Sequence, residues 1–358
     1  MQQAITYAPK MNSVPEICFS AREAELKKLF NDYPVGKILF VSDGSSFGLF
    51  SGAVHSPRAL AVVLDGDDAL PLFCMPDGIA CVAVSGRRET LLATRGYAAI
   101  CGVPTVLFPV DASLYGVFDG QTQLLTNGVR GEVKLNDGRV VYDEKAITPS
   151  LGRALAGLYL SRLALFETRA LSILKRTELP DAFEEAFGLL DTVKGDAEEI
   201  IAKNARLRVL ERDGLPVGEG AALANLLRGS EDAPWRAFLL LSSLYAAFFK
   251  RGKPRRYRVP DYSARFLAAG IAEGYLTANI PTAEEYSRRA LALERGRGEL
   301  LREINALTDR RAEYLFRLRR YMAAEDAACE LGALSRLPEV VPSGLSAIIR
   351  DFGLMEEL

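Results

Sequence analysis

Histidine is nearly absent: the 358 residues hold one, His55. A serine or cysteine hydrolase of the usual kind needs a histidine base beside its nucleophile. A zinc or iron site built on histidines needs at least two in most arrangements. His55 stands in Gly52-Ala53-Val54-His55-Ser56-Pro57, which reads as a loop after a short helix, so a solvent-facing or capping role is expected. Cysteine is also sparse. Cys18, Cys74, Cys81, Cys101 and Cys329 are scattered, odd in number and set mostly in apolar runs, so buried free thiols in a reducing cytoplasm are expected rather than a disulfide framework. No apolar run approaches the roughly 20 residues of a membrane span. The first dozen residues lack the charged and apolar regions of a signal peptide. The formal charge is only −2, which gives no general reason to expect nucleic acid or an anionic membrane as partner.

What is present is a chain in two styles. Residues 79–84 form a short apolar run suited to a strand covered on both faces. Ser85-Gly86 is turn material, and a helix follows over 88–99. Gly102 ends that helix, 105–108 make a second buried strand, and Pro109 breaks it. Strand, crossover helix and parallel strand form a βαβ unit, almost always right-handed. Open α/β sheets bind ligands outside the carboxyl ends of their strands, so the 84–88 turn and the 109–116 loop are where a nucleotide would sit.

Before this unit, 21–30 read as a charged helix, 37–42 as a buried strand closed by Asp43-Gly44, and 45–54 as a turn or helix. A second strand at 60–64 precedes an acidic, solvated turn at 65–68. After it, Asn127-Gly128 and Asn136-Asp137-Gly138 read as hairpin-type turns, with a strand at 140–143. From residue 148 the pattern is almost purely helical: 149–174, 181–190, 194–211, 233–250, 261–278 and 284–320. The 233–250 helix is apolar on nearly every face and reads as buried core. Thr282-Ala283-Glu284-Glu285 reads as a capping box for the longest helix, a packing or dimer element. These patterns predict two domains: an α/β nucleotide-binding-type domain over 1–148 and an all-α domain over 149–358.

Three segments carry a resemblance. Val84-Ser85-Gly86-Arg87-Arg88 is followed by Gly102-Val103-Pro104 and then by Pro109-Val110-Asp111-Ala112-Ser113-Leu114-Tyr115-Gly116. In order and spacing they resemble the dehydroquinate synthase and iron-containing alcohol dehydrogenase superfamily, above all its sn-glycerol-1-phosphate dehydrogenase branch, whose P-T-A-P-S-M-D-G pattern is tracked at Pro109, Ser113 and Gly116. Val140-Val141-Tyr142-Asp143 matches a further strand of the branch, and Arg130 stands near its lysine. The resemblance implies a Rossmann-like domain, a helical domain and a ligand cleft between them. It implies a cofactor-binding set of Asp43, Ser85, Gly86, Arg87, Pro109 and Ser113. Asp43 matches an aspartate that tends to face the nucleotide; a turn or N-cap aspartate is the other reading.

The catalysis implied by the resemblance uses a divalent metal held by one acid and two histidines. The matching positions here are Leu160, Asp232 and the histidine-free stretch 253–261, where Lys253, Arg255, Arg256 and Arg258 cluster. Metal binding there is therefore not expected, and no metal ligand is assigned. Arg87 and Arg88 stand in the glycine turn, to obstruct the pyrophosphate path or to grip a phosphate, and Tyr115 replaces the branch's aspartate. No catalytic residue is assigned; Arg130, Asp232 and Tyr115 are cleft candidates. The expected protein is a degenerate relative, a pseudoenzyme binding a small ligand, phosphorylated or not, or a protein partner, with a homo-oligomer left open. The alternative is an active NAD(P)-dependent oxidoreductase on a phosphorylated polyol or alcohol, and a synthase-like lyase ranks third.

Overall fold

The computed structural model describes residues 17–20, 22–227, 231–254, 281–326 and 331–352. The helix expected over 261–278 and most of the 253–258 cationic cluster lie outside them, as do Cys329, the side chain of Cys18 and the 228–230 part of the motif before Asp232. The chain divides into two compact units: residues 1–150 with 205–212, and residues 151–204 with 213–358.

The first unit is built on six parallel strands. Along the chain come β1 (Ile17–Phe19), α1 (Arg22–Asp32), β2 (Lys37–Ser42), β3 (Ala59–Val63), α2 (Leu70–Phe73), β4 (Ile79–Gly86), α3 (Arg88–Cys101) and β5 (Thr105–Pro109). A small antiparallel hairpin, β6 (Gln121–Thr126) and β7 (Val129–Lys134), precedes β8 (Arg139–Tyr142) and α4 (Glu144–Ile147). The sheet order is β1-β8-β5-β4-β2-β3, and every pairing is parallel. β2, β4 and β5 are buried on both faces, as unbroken apolar runs require. Ile38, Phe40, Cys81, Ala83, Val106 and Phe108 pack on one side with Leu26 and Leu29 of α1. The alternate residues Leu39, Val41, Val82, Val84 and Leu107 are equally buried on the other.

Several expectations need correction. Asn127-Gly128 does close a hairpin, with both residues at positive φ (51° and 79°), as a type I′ turn demands. Asn136-Asp137-Gly138 closes none, because β7 and β8 belong to different sheets. Two of the described thiols, Cys74 and Cys101, are exposed at helix ends, and only Cys81 is buried. Apolar neighbours in sequence hide a thiol inside a strand, not at the end of a helix.

The second unit is helical, with α5 (Leu151–Lys175), α6 (Phe183–Asp191), α7 (Ala197–Arg212, whose last eight residues cluster with the first unit), α8 (Glu219–Leu226) and α9 (Ala233–Arg251). Among the described residues, four more helices follow at Ala283–Asp309, Arg311–Leu318, Leu331–Val340 and Leu345–Asp351. α9 is the expected core helix: Trp235, Phe238, Leu241, Tyr245 and Phe249 are all fully buried. The Thr282 capping box forms as read from the sequence. The helix expected over 284–320 is in fact two, broken at Arg310, whose N–H turns back to the Thr308 carbonyl. Among the described residues, no helix is long and apolar enough to cross a membrane.

Candidate functional site

From β2 the chain runs to β3 on one side of the sheet and to β4 on the other, so the strand order reverses between β2 and β4. Crossovers leaving in opposite directions open a crevice at the carboxyl ends of those two strands. Those ends are Ser42 and Ser85, which face each other in register, and Gly86 lies beside Pro109 at the end of β5. Five of the residues expected to bind cofactor meet here: Asp43, Ser85, Gly86, Arg87 and Pro109.

Their arrangement was not expected. The Asp43 carboxylate spans the crevice. Its Oδ2 accepts the backbone N–H of Arg87 at 2.8 Å, at the N-terminus of α3. Its Oδ1 accepts the Ser45 hydroxyl at 2.6 Å, the Ser46 N–H at 2.9 Å and the Ser46 hydroxyl at 2.6 Å. The turn aspartate and the crevice aspartate are thus one and the same. Gly86 makes the approach possible: its φ is +151°, and a Cβ there would stand 2.9 Å from Asp43 Oδ2 and 3.1 Å from Thr90 Cβ. Partial burial pushes the Asp43 carboxyl up, but the bonds from Ser45, Ser46 and Arg87 outweigh it and hold the pKa below the ordinary aspartate value. The carboxylate is thereby held as an anion at the head of α3.

The start of a helix following a parallel strand attracts anions, through free N–H groups and the helix dipole. Here the protein's own carboxylate takes that position. The hydroxyls of Ser42, Ser85 and Ser113 are buried and have no hydrogen-bond partner among the described residues. The Arg87 side chain is exposed and makes no ion pair with any described residue.

Loop 110–120 after β5 is fixed on the first turn of α3. The Ala112 N–H donates to Ser150 Oγ at 2.8 Å, the Ser113 N–H to Asp111 Oδ1 at 2.9 Å, and the Gly116 N–H to Asp119 Oδ1 at 3.2 Å. Leu114 takes φ of 62° within it. The Arg88 guanidinium pairs with Asp119 at 2.9 Å, and its stem lies beneath Gly116. The residue that the sequence reading missed is Arg95, only 1% exposed inside α3. It donates to the Gly116 carbonyl at 2.8 Å and the Asn136 carbonyl at 3.0 Å. Burial lowers its pKa to about 10, against the pull of Asp119 and Asp137. The signal was there: an arginine on the apolar face of a helix needs partners.

The other candidates lie elsewhere. Tyr115 is partly exposed, and its ring lies 4.2 Å from the guanidinium carbon of Arg208, which is itself paired with Glu211. Arg130, on β7, pairs with Asp67 at 3.1 Å and lines a polar cavity of about 370 Å³ with Arg88, Glu89 and Glu132. Asp232 belongs to the helical unit, where it precedes α9 and makes no side-chain capping bond. His55 is exposed, as expected.

The residues do not fit the metal that the resemblance implies. Leu160 is buried on α5 against Gly220, so close that a Cβ at that glycine would stand 2.4 Å from Leu160 Cδ1. The third position lies outside the described residues. Among the described residues, no group of three or more histidine, cysteine, aspartate or glutamate side chains could hold a metal ion.

Neither a protein-family model nor a curated protein matches the chain. Solved structures similar to it include alcohol dehydrogenases, some of them iron-containing, glycerol dehydrogenases and maleylacetate reductases. One is an iron-containing alcohol dehydrogenase from Corynebacterium glutamicum, with 13% identity, a TM-score of 0.45, and 96% of this chain and 94% of that one covered. Another is a glycerol dehydrogenase from Schizosaccharomyces pombe, with 12% identity, a TM-score of 0.42, and 88% and 95% covered. A third is an alcohol dehydrogenase from an archaeon of a Red Sea brine pool, with 11% identity, a TM-score of 0.48, and 99% and 100% covered.

Proposed function

We propose that this chain binds a small phosphorylated ligand at the carboxyl edge of β2, β4 and β5, without metal-dependent catalysis. The observation that carries this reading is the Asp43 carboxylate on the Arg87 N–H. A fixed negative charge at the head of α3 disfavours the pyrophosphate of a dinucleotide at that point. What remains for a guest is the exposed Arg87 guanidinium, which can pair with one phosphate. Catalysis of the metal-dependent kind has no support in the side chains at Leu160 and Asp232. Nor does the crevice hold a carboxyl or histidine poised as a general acid or base.

Calorimetric titration of the full chain tests the reading, with glycerol phosphates, NADH and NADPH as probes. A glycerol phosphate that binds saturably, and does so at least tenfold more weakly in Arg87→Ala, is the expected result. Saturable NADH or NADPH binding with turnover of a phosphorylated polyol would instead favour the active oxidoreductase. Stoichiometric zinc, nickel or iron that is lost with Asp232→Ala would overturn the proposal from the metal side.

A further inference from the structure

The helical unit contains a cluster of acids that the site above does not use. Glu167 on α5 and Glu219 at the start of α8 are each 2% exposed. Glu167 Oε2 accepts the backbone N–H of Glu219 at 2.7 Å, and its Oε1 accepts the Tyr245 hydroxyl of α9 at 2.9 Å. Glu219 Oε1 accepts the Ser346 N–H at 2.8 Å, at the start of helix Leu345–Asp351, and its Oε2 lies 3.5 Å from the Tyr245 oxygen. Gly218, at φ +77°, leaves room for this approach: a Cβ there would stand 2.7 Å from Glu167 Oε2.

Counting protons decides the charge state. Tyr245 has one hydroxyl proton, and the shorter contact assigns it to Glu167. The Tyr245 oxygen and Glu219 Oε2 then face each other with lone pairs only, unless Glu219 itself carries a proton. With that proton the three groups form a continuous chain, from the Glu219 acid to the Tyr245 hydroxyl to the Glu167 carboxylate. Two ionised carboxylates buried this deeply would also each lose their hydration. Burial raises both acids, and the neighbouring Glu219 charge raises Glu167 further.

Among the described residues, the surrounding charges do not compensate. Lys175, in the last turn of α5, is a cation whose field reaches Glu219, and its ammonium is bound to the Ser343 carbonyl at 2.6 Å. Glu285 and Arg289 of the Ala283–Asp309 helix face Lys175. Arg350 and Asp351 pair with each other at 3.6 Å. Arg336 and Glu339, on the helix packed against α8, make no hydrogen bond or ion pair with either acid.

We infer that Glu167 and Glu219 hold a single proton between them through the Tyr245 hydroxyl, and that this proton latches the N-terminus of helix Leu345–Asp351 onto the helical unit. Loss of the proton to solvent places a second charge in the cluster and turns the Glu219–Tyr245 contact repulsive. The latch loosens as pH rises. A carboxyl raised in the folded state contributes stability that is complete below the ordinary glutamate value of about 4.3 and is lost as pH rises through the folded value.

Hydrogen exchange at the amides of residues 346–349 tests the latch, comparing the wild type with Glu219→Gln between pH 6 and 9. Glutamine keeps an acceptor for the Ser346 N–H and a donor for Tyr245 but cannot ionise. Protection in the wild type, relative to the variant, should fall by about tenfold over this range, the equivalent of one unit of pKa difference. A carboxylic-acid carbonyl band should be present in the wild-type infrared spectrum at pH 6 and be lost in Glu219→Gln. Identical exchange profiles, or a band that survives the substitution, would overturn the inference. If Glu219→Gln does not fold, Tyr245→Phe keeps the ring and breaks the proton chain. Loss of protection in this variant should then begin at lower pH than in the wild type, and an unmoved profile would count against the latch.

Discussion

Replacing Asp43 with alanine should destabilise the α/β unit and at the same time improve its binding of anions. The carboxylate receives four hydrogen bonds, from Ser45, from Ser46 twice and from Arg87. Loss of a capping acceptor at a helix start costs about 1 kcal/mol. The Ser46 N–H, in a residue only 3% exposed, is left without its acceptor, at a cost of about 1–3 kcal/mol. The Ser46 hydroxyl offsets part of this, because it already lies 3.1 Å from the Ser85 carbonyl and can turn to it. The net loss is about 2 kcal/mol, which lowers the melting temperature of a unit this size by roughly 4–8 °C. For an anion the same substitution removes a repelling charge and frees a helix N-terminus. Together these contribute about 1–2 kcal/mol, or roughly a tenfold gain in affinity for inorganic pyrophosphate. Scanning calorimetry and titration with pyrophosphate measure the two effects on one preparation. A variant as stable as the wild type, or one that binds pyrophosphate no more tightly, would refute the assignment of Asp43 as an internal anion. The acid limb gives an independent check. Because the Asp43 carboxyl is held below its ordinary value, its stabilisation is present above about pH 3.9 and is lost as pH falls through the folded value. Acid unfolding of the wild type should therefore be steeper than that of Asp43→Asn.

Gly86→Ala places a Cβ against Asp43 Oδ2 and Thr90 at a φ of +151°, and strain of this kind costs about 1–3 kcal/mol; urea denaturation should show it, and an unshifted midpoint would deny the close approach. Arg95→Met keeps most of the side-chain volume but strands the Gly116 and Asn136 carbonyls, so a loss of about 2–4 kcal/mol and faster proteolysis of loop 110–120 are expected.

The doubly covered strands were legible in the sequence, because runs such as 79–84 and 105–108 have only one stable environment, and the switch in pattern near residue 148 marked the change from α/β to helix. The capping box at Thr282 and the I′ turn at Asn127-Gly128 were legible for the same reason: each is a local device whose residues act on their own backbone. The strand order was not in the pattern, since β8 follows a hairpin yet takes its place beside β5. Nor was the role of Asp43. Local chemistry named it a turn aspartate, and resemblance named it a crevice residue, but only the register of β2 with β4 brings its carboxylate to the Arg87 N–H, 44 positions away. The charges of Glu167 and Glu219 were likewise invisible, because a glutamate inside a helix looks solvated until its neighbours are known. Sequence determined which segments must be buried; tertiary structure decided which buried groups would find partners, because hydrogen bonds and desolvation depend on distances that the order of residues does not contain.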